Sequence, residues 1–257
     1  MIGVFDSGVG GLPVLAEIRR AIPDADLLYY ADTARLPFGT RSTNFILQLA
    51  REAGERFFSW DVDFLQVACG TVSALALPVI AGAAGCPAAG VIDPVISDLL
   101  ADKRRRILLL ATEATVRSGV FVERLRAADP SVSVLPIGCP LFVSFAENGI
   151  TDRSDPALLS LLLRTLAPGQ YYLPDAILLG CTHFRLLAPA IGSLFPGVPL
   201  YDCGQSAVRA LTTKDPSPGK GSGKLRIVVS DGAERFREAA KRVIGLPDTQ
   251  SVELLPP

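Results

Sequence analysis

The sequence predicts an α/β fold of two similar lobes with mainly parallel sheets, each presenting one thiol at the end of a strand. Three observations predict it. Short apolar runs alternate with helical stretches along all 257 residues, the pattern of buried parallel strands joined by helical crossovers. One grammar occurs twice: Asp63-Phe64-Leu65-Gln66-Val67-Ala68-Cys69-Gly70-Thr71, and, 112 residues on, Asp175-Ala176-Ile177-Leu178-Leu179-Gly180-Cys181-Thr182. Each copy ends in a cysteine at the carboxyl end of a strand, where open α/β sheets place their sites. The expected units are residues 1–93 with 208–257, carrying Cys69, and residues 94–207, carrying Cys181.

Composition narrows the function classes. Hydrophobic residues make up 49%, enough for a substantial core. The net charge of −1 gives no electrostatic footprint for nucleic acid or an anionic membrane. No apolar run approaches the ~20 residues that span a bilayer. The opening Met1-Ile2-Gly3-Val4 runs straight into a strand, without the features of a signal peptide. Five widely spaced cysteines without a C-x-x-C pair, and a single histidine, argue against zinc and for free thiols in a reducing cytoplasm. Arg outnumbers Lys 20 to 5, which fits a GC-rich genome or a thermophile equally well.

Taken in order, Ile2–Phe5 reads as a strand. Asp6-Ser7-Gly8-Val9-Gly10-Gly11 is a glycine-rich turn into a helix over Leu12–Ala21. It lacks the spacing of a nucleotide-binding loop, but its N–H groups suit a small anion such as a carboxylate. Asp6 either points into the cleft or caps the helix. A strand over Leu27–Asp32, the loop Thr33–Thr40 and a helix over Thr43–Ser59 precede the first cysteine unit, whose helix contains Pro78 and ends near Gly85. Val91–Val95 reads as the crossing to the second half. There, Lys103–Arg106 is a solvated loop, Ile107–Leu110 a strand, Ala111–Thr115 a loop and Val116–Ala127 a helix. Thr112 and Thr115 hold the place that Asp6 and Ser7 hold in the first half. A strand at Val132–Leu135 follows, then the apolar segment Cys139–Gly149. On its own, Glu147 reads as a solvated carboxylate at a helix end, beside the cap pair Asn148-Gly149. Asp155–Leu166 is a helix.

The second cysteine unit follows, with its helix over Arg185–Ile191 and Pro189 near the first turn. A cysteine before such a helix meets N–H groups and a positive dipole end, both of which favour a thiolate. Pro199–Gly204 returns the chain, and Ser206–Leu211 starts a helix. Asp215–Lys224 reads as a flexible surface loop, Leu225–Val229 as a strand and Ala233–Ile244 as a closing helix.

These motifs resemble, in order and over nearly the whole chain, those of the glutamate racemases of the aspartate/glutamate racemase superfamily. The residues that carry the resemblance are Asp6-Ser7-Gly8-Val9-Gly10-Gly11-Leu12, Arg35-Leu36-Pro37-Phe38-Gly39, Ala68-Cys69-Gly70-Thr71, Ala111-Thr112-Glu113-Ala114-Thr115, Cys139-Pro140-Leu141-Phe142-Val143 and Gly180-Cys181-Thr182-His183. The resemblance implies two α/β lobes related by a pseudo-two-fold axis, an active site in the cleft between them that uses neither pyridoxal phosphate nor metal, and a cytoplasmic homodimer supplying D-glutamate for peptidoglycan.

By position it implies Cys69 and Cys181 as the two proton carriers. Asp6 would assist Cys69, and Glu147 and His183 would assist Cys181. Asp6, Ser7, Phe38, Gly39, Gly70, Thr71, Thr115, Thr182 and His183 would contact the amino-acid substrate. Two thiols on opposite faces suit racemisation, which removes a Cα proton from one face and returns one to the other. Three departures stand out: Gly70 where the family has Asn, Phe38 where it has Tyr, and Asn148 where a second acid is common. Gly70 keeps two other readings open, a racemase of aspartate or another amino acid and a weakly active homologue with a regulatory role.

Overall fold

The computed structural model describes residues 1–214 and 221–255; part of the expected Asp215–Lys224 loop, residues 215–220, lies outside them. Twenty-two strands and α-helices are described, all in α/β order. The first half runs β1 (Ile2–Asp6), α1 (Leu12–Ala21), β2 (Leu27–Ala31), α2 (Thr43–Ser59), β3 (Phe64–Val67), α3 (Gly70–Leu75), α4 (Leu77–Ala84) and β4 (Ala88–Ala89). The second runs α5 (Ile92–Ala101), β5 (Arg106–Ala111), α6 (Glu113–Ser118), α7 (Val120–Ala128), β6 (Ser133–Gly138), α8 (Pro140–Glu147), α9 (Pro156–Tyr172), β7 (Ala176–Leu179), α10 (Ala188–Ser193) and β8 (Leu200–Asp202). The chain then passes through α11 (Cys203–Lys214) back to the first sheet, with β9 (Leu225–Val229), α12 (Ala233–Ile244) and β10 (Glu253–Leu254).

Two separate sheets result, ordered β10-β9-β2-β1-β3-β4 and β6-β5-β7-β8. Every described strand pair is parallel. The inner order repeats: β1 sits between β2 and β3 as β5 sits between β6 and β7, and β4 and β8 extend the same edge. Cys69 therefore follows the third strand of one sheet and Cys181 the third strand of the other. Four buried clusters flank the sheets, two on each, with strand residues such as Val4, Phe5, Leu108 and Leu109 almost wholly excluded from solvent. Such two-sided burial is what continuous apolar strands require.

Several elements differ from the sequence reading, each for a local reason. The helix after Cys69 breaks at Ala76, whose φ of −142° is not helical, and restarts with Pro78 in its first turn. The Val116–Ala127 helix divides at Gly119, where φ is +71°, a conformation glycine adopts without steric cost. Its first piece begins earlier than expected because the Thr112 side chain accepts from Thr115 N and caps it, as an N-cap threonine does. α9 continues to Tyr172 through Pro168. Gly169 there is buried, and a Cβ on it would lie 2.6 Å from Leu108 and 3.2 Å from Phe195, so packing on the sheet holds a Pro-Gly pair that alone would end a helix. The expected crossing Val91–Val95 is largely the start of α5. The two-residue strands β4 and β10 are too short to carry a period. Among the described residues no helix is long and apolar enough to cross a membrane.

Candidate active site

Both cysteine turns lie where strands end. Cys69 and Cys181 are buried free thiols, as are Cys139 and Cys203, with Cys86 partly exposed. The segment after Cys181 is not the expected α-helix from Arg185. Thr182–Leu187 is a 3-10 helix, and the α-helix proper, α10, begins at Ala188 with Pro189 in its first turn. The expected lowering of thiol pKa by a helix start does not prevail at Cys69. Burial pushes that thiol far up, and the Asp6 carboxylate and Cys181 add to the rise; the N–H groups of Val72 and Thr71 pull the other way without prevailing. Cys69 is a neutral thiol at neutral pH.

Asp6 ends β1 and is wholly buried. It is not a helix cap. The position before α1 is Gly11, which makes no side-chain bond. Asp6 instead accepts from Gly8 N at 2.8 Å and from the Thr182 hydroxyl at 3.0 Å, so it joins the first sheet to the Cys181 turn. Burial raises its pKa; the His183 charge, the Gly8 N–H and the Thr182 hydroxyl oppose this, and Glu147 adds to it. The net rise makes Asp6 a stronger base than a surface carboxylate.

On the other side a relay of side chains leads to Cys181. Its sulfur is 3.8 Å from His183 Nδ1, and His183 Nε2 is 2.6 Å from Glu147 Oε1. Glu147 thus stands behind His183, and the same oxygen accepts from Val9 N at 2.8 Å. Burial works against a charge on His183, but the bonds to Cys181 and Glu147 outweigh it and hold its pKa well above 6.5. Burial likewise opposes charge on Glu147, and the His183 partner, with Val9 N and Arg235, brings it below its usual value. The pair is an imidazolium and a carboxylate, not the solvated helix-end acid that α8 alone suggests. The glycine turn makes room for it: a Cβ on Gly8 would meet Glu147, and one on Gly10 would meet the His183 ring.

The remaining predicted residues gather here with one exception. Ser7, Gly39, Thr71, Thr115 and Thr182 are buried around the two turns. Thr71 Oγ1 lies 3.0 Å from Thr112 Oγ1, which lies 2.9 Å from Thr115 Oγ1. Gly39 is packed on the Thr112 side chain, with no space for a Cβ. Phe38 differs: its ring is in the core of the first sheet, 6.4 Å from Phe5 centroid to centroid. The predicted substrate contact is therefore not made by its side chain. Asn148 lies on the rim and receives a hydrogen bond from Arg235. Gly70 faces the backbone of the opposite turn.

Two contributors fall outside the predicted set. Thr112 links three predicted residues; its place in the second half, equivalent to that of Asp6 and Ser7 in the first, was the signal for it. Tyr29 is buried and donates to Gly8 O at 2.6 Å, pinning the glycine turn; nothing in its strand sequence marks it. No cluster of His, Cys, Asp and Glu among the described residues is arranged to hold a metal.

The Asp/Glu/Hydantoin racemase family model matches residues 13–211. The glutamate racemase of Aquifex aeolicus is 35% identical over 251 residues, 95% of this chain and 94% of that protein. That of Gloeobacter violaceus is 37% identical over 260 residues, covering 100% and 97%. Among solved structures, Francisella tularensis glutamate racemase in complex with D-glutamate superposes with a TM-score of 0.89 at 27% identity, covering 99% and 97%. The Thermus thermophilus glutamate racemase gives 0.82 at 34%, covering 99% and 96%. Two α/β units with parallel sheets, a cysteine turn in each and these matches along the length agree: the chain belongs to the Asp/Glu/Hydantoin racemase family.

Proposed function

We propose that this protein is a glutamate racemase, interconverting L- and D-glutamate by proton transfer at Cα between two thiols and requiring neither metal nor organic cofactor. The observation that carries this reading is the placement of Cys69 and Cys181 on equivalent turns of two sheets, each backed by a different acid–base group. In one direction Cys181, as thiolate, removes the Cα proton, and the Cys69 thiol delivers a proton to the opposite face. In the other direction Cys69 must first lose its proton, and Asp6, with its raised pKa, is the group that takes it. His183, paired with Glu147, is the proton donor and counter-charge on the Cys181 side.

The substrate's carboxylates and amine are held by Ser7, Gly39, Thr71, Thr115 and Thr182. Fixed hydroxyls and N–H groups aimed at the α-carboxylate stabilise the negative charge that develops when Cα loses its proton. Asp6 and His183 border the same space. The two working units are residues 1–93 with 208–257, and 94–207; sheet membership supports this division, although its boundaries pass through α5 and α11. The reading includes a cytoplasmic homodimer that supplies D-glutamate to peptidoglycan synthesis.

The test is circular dichroism on L- and D-glutamate, with aspartate in parallel and no added cofactor. Wild type should racemise glutamate both ways, and Cys69→Ser and Cys181→Ser should each lose at least ~100-fold, as removing a positioned acid or base does. Folded wild type without activity on glutamate would overturn the reading.

A further inference from the structure

Gly70 follows Cys69 directly and is buried at the first position of α3. Its backbone is not in the left-handed region, so nothing in its conformation calls for glycine. Space does. A Cβ built there would lie 2.5 Å from the carbonyl oxygen of Gly180 and 3.5 Å from Cys181 Cα. Both neighbours are backbone and cannot rotate away. Gly180 is itself fixed: its N–H donates to Leu110 O at 2.8 Å, and Leu109 and Phe121 close over its own Cα. The contact is therefore between the two thiol-bearing turns, one from each sheet.

We infer that Gly70 is a positioning residue: its missing side chain lets the Cys69 turn close against Gly180–Cys181 and so sets the gap across which two thiols share one Cα. The inference rests on the two-thiol reading above. A methyl group at 70 needs about 1 Å more room to reach ordinary carbon–oxygen contact. The turns can supply it only by moving apart, which stretches the other links across the cleft: Thr71 to Thr112 at 3.0 Å, Thr182 to Asp6 at 3.0 Å and Val9 N to Glu147 at 2.8 Å. A displacement of that size at reacting groups costs up to ~100-fold in rate.

The experiment compares wild type, Gly70→Ala, Gly70→Asn and, as a control, Gly82→Ala, whose added Cβ meets nothing within 4 Å. Steady-state rates are measured both ways, and racemisation is repeated in D2O with the recovered substrate analysed for label. Gly70→Ala should lower kcat roughly 10- to 100-fold in both directions, with a smaller change in KM. It should also place deuterium at Cα of substrate that has not inverted, because a thiol held off its partner exchanges with solvent and returns its proton to the same face. Gly82→Ala should match wild type. Wild-type kcat in Gly70→Ala without such label would overturn the inference. So would a Gly70→Asn enzyme faster than wild type, since the position would then lack an amide and not need space. Loss of secondary structure in Gly70→Ala would also overturn it, by placing the glycine in core packing. An inactive wild type would instead sink the racemase reading itself, so the two failures are distinguishable.

Discussion

Glu147 Oε1 lies 2.6 Å from His183 Nε2 and 2.8 Å from Val9 N. One oxygen thus serves an imidazolium of the second sheet's unit and a glycine-turn amide of the first. That double use explains why the turn must contain Gly8 and Gly10, whose side chains would occupy the space of the carboxylate and the ring. It also ties the charge state of the Cys181 side to the closure of the cleft.

The pair gives a pH prediction with a defined sign. His183 has a folded pKa raised above 6.5, so its contribution to stability is complete below that value and is lost as pH rises through the folded pKa. Glu147 has a lowered pKa, so its contribution is present above 4.5 and is lost as pH falls through the lowered value. Stability from the pair is thus fullest between about pH 4.5 and 6.5 and falls on both sides, the loss from His183 setting in above 6.5 and running up to its folded pKa. The chain has one histidine, so its ring resonance can be followed without assignment. NMR titration should show His183 protonated at pH 7. Glu147→Gln should bring that titration down, with kcat reduced roughly 10- to 100-fold, the share of an assisting acid–base group.

Asp6 is a buried carboxylate with a raised pKa, and the sign here is opposite. The folded protein binds a proton there more readily than the unfolded chain, so ionised Asp6 costs stability at neutral pH. Asp6→Asn should raise Tm by a few degrees at pH 7, the response of a protein of this size to ~1 kcal/mol, while reducing racemisation most in the direction that needs Cys69 deprotonated. Melting curves at pH 4 and pH 7 test it: the gain should shrink at the lower pH. This is the trade of stability for activity that a functional site shows.

Much of this was legible in the sequence. The strand–Cys–helix grammar placed Cys69 and Cys181 on equivalent turns, and the helices Thr43–Ser59 and Leu12–Ala21 were legible because their apolar periods, with Ser42 capping the first and Pro13 opening the second, are local signals. The charge states were not legible. A cysteine before a helix start reads as an activated thiol, but at Cys69 burial and Asp6 outweigh the N–H groups, and burial is a property of the fold. Glu147 reads as a solvated helix end for the same reason, since His183 is 36 residues away. The demand for glycine at position 70 comes from a backbone 110 residues distant, which no local pattern carries.

The aromatic cluster under β1 supplies a stability control remote from the cleft. Phe57 is fully buried, edge-on to Phe5 at 6.3 Å, Tyr30 at 6.1 Å and Trp60 at 5.6 Å. Its ring also fills the space beside Gly3. Phe57→Ala should cost about 3–5 kcal/mol, read as a lower denaturant midpoint, while KM of the fraction that remains folded stays near wild type.

Thr112 tests the hydroxyl chain across the cleft. Its oxygen caps α6 by accepting from Thr115 N, and it lies 3.0 Å from Thr71 Oγ1 and 2.9 Å from Thr115 Oγ1. One hydroxyl has a single proton to give, so it can donate to only one neighbouring hydroxyl and must accept from the other. Its orientation therefore sets which of Thr71 and Thr115 keeps a free proton, and on the proposed reading that is the one offered to the substrate. Thr112→Val keeps the shape against Gly39 and removes the oxygen; Thr112→Ser keeps the oxygen. Val should lose about 1 kcal/mol of stability from the cap and raise KM for glutamate roughly 10-fold, one hydrogen bond to a charged group being worth about 1.5 kcal/mol. Ser should recover most of the KM. If Val left KM unchanged while Ser raised it, the packing of Thr112 on Gly39, and not its hydroxyl, would be what orders the site.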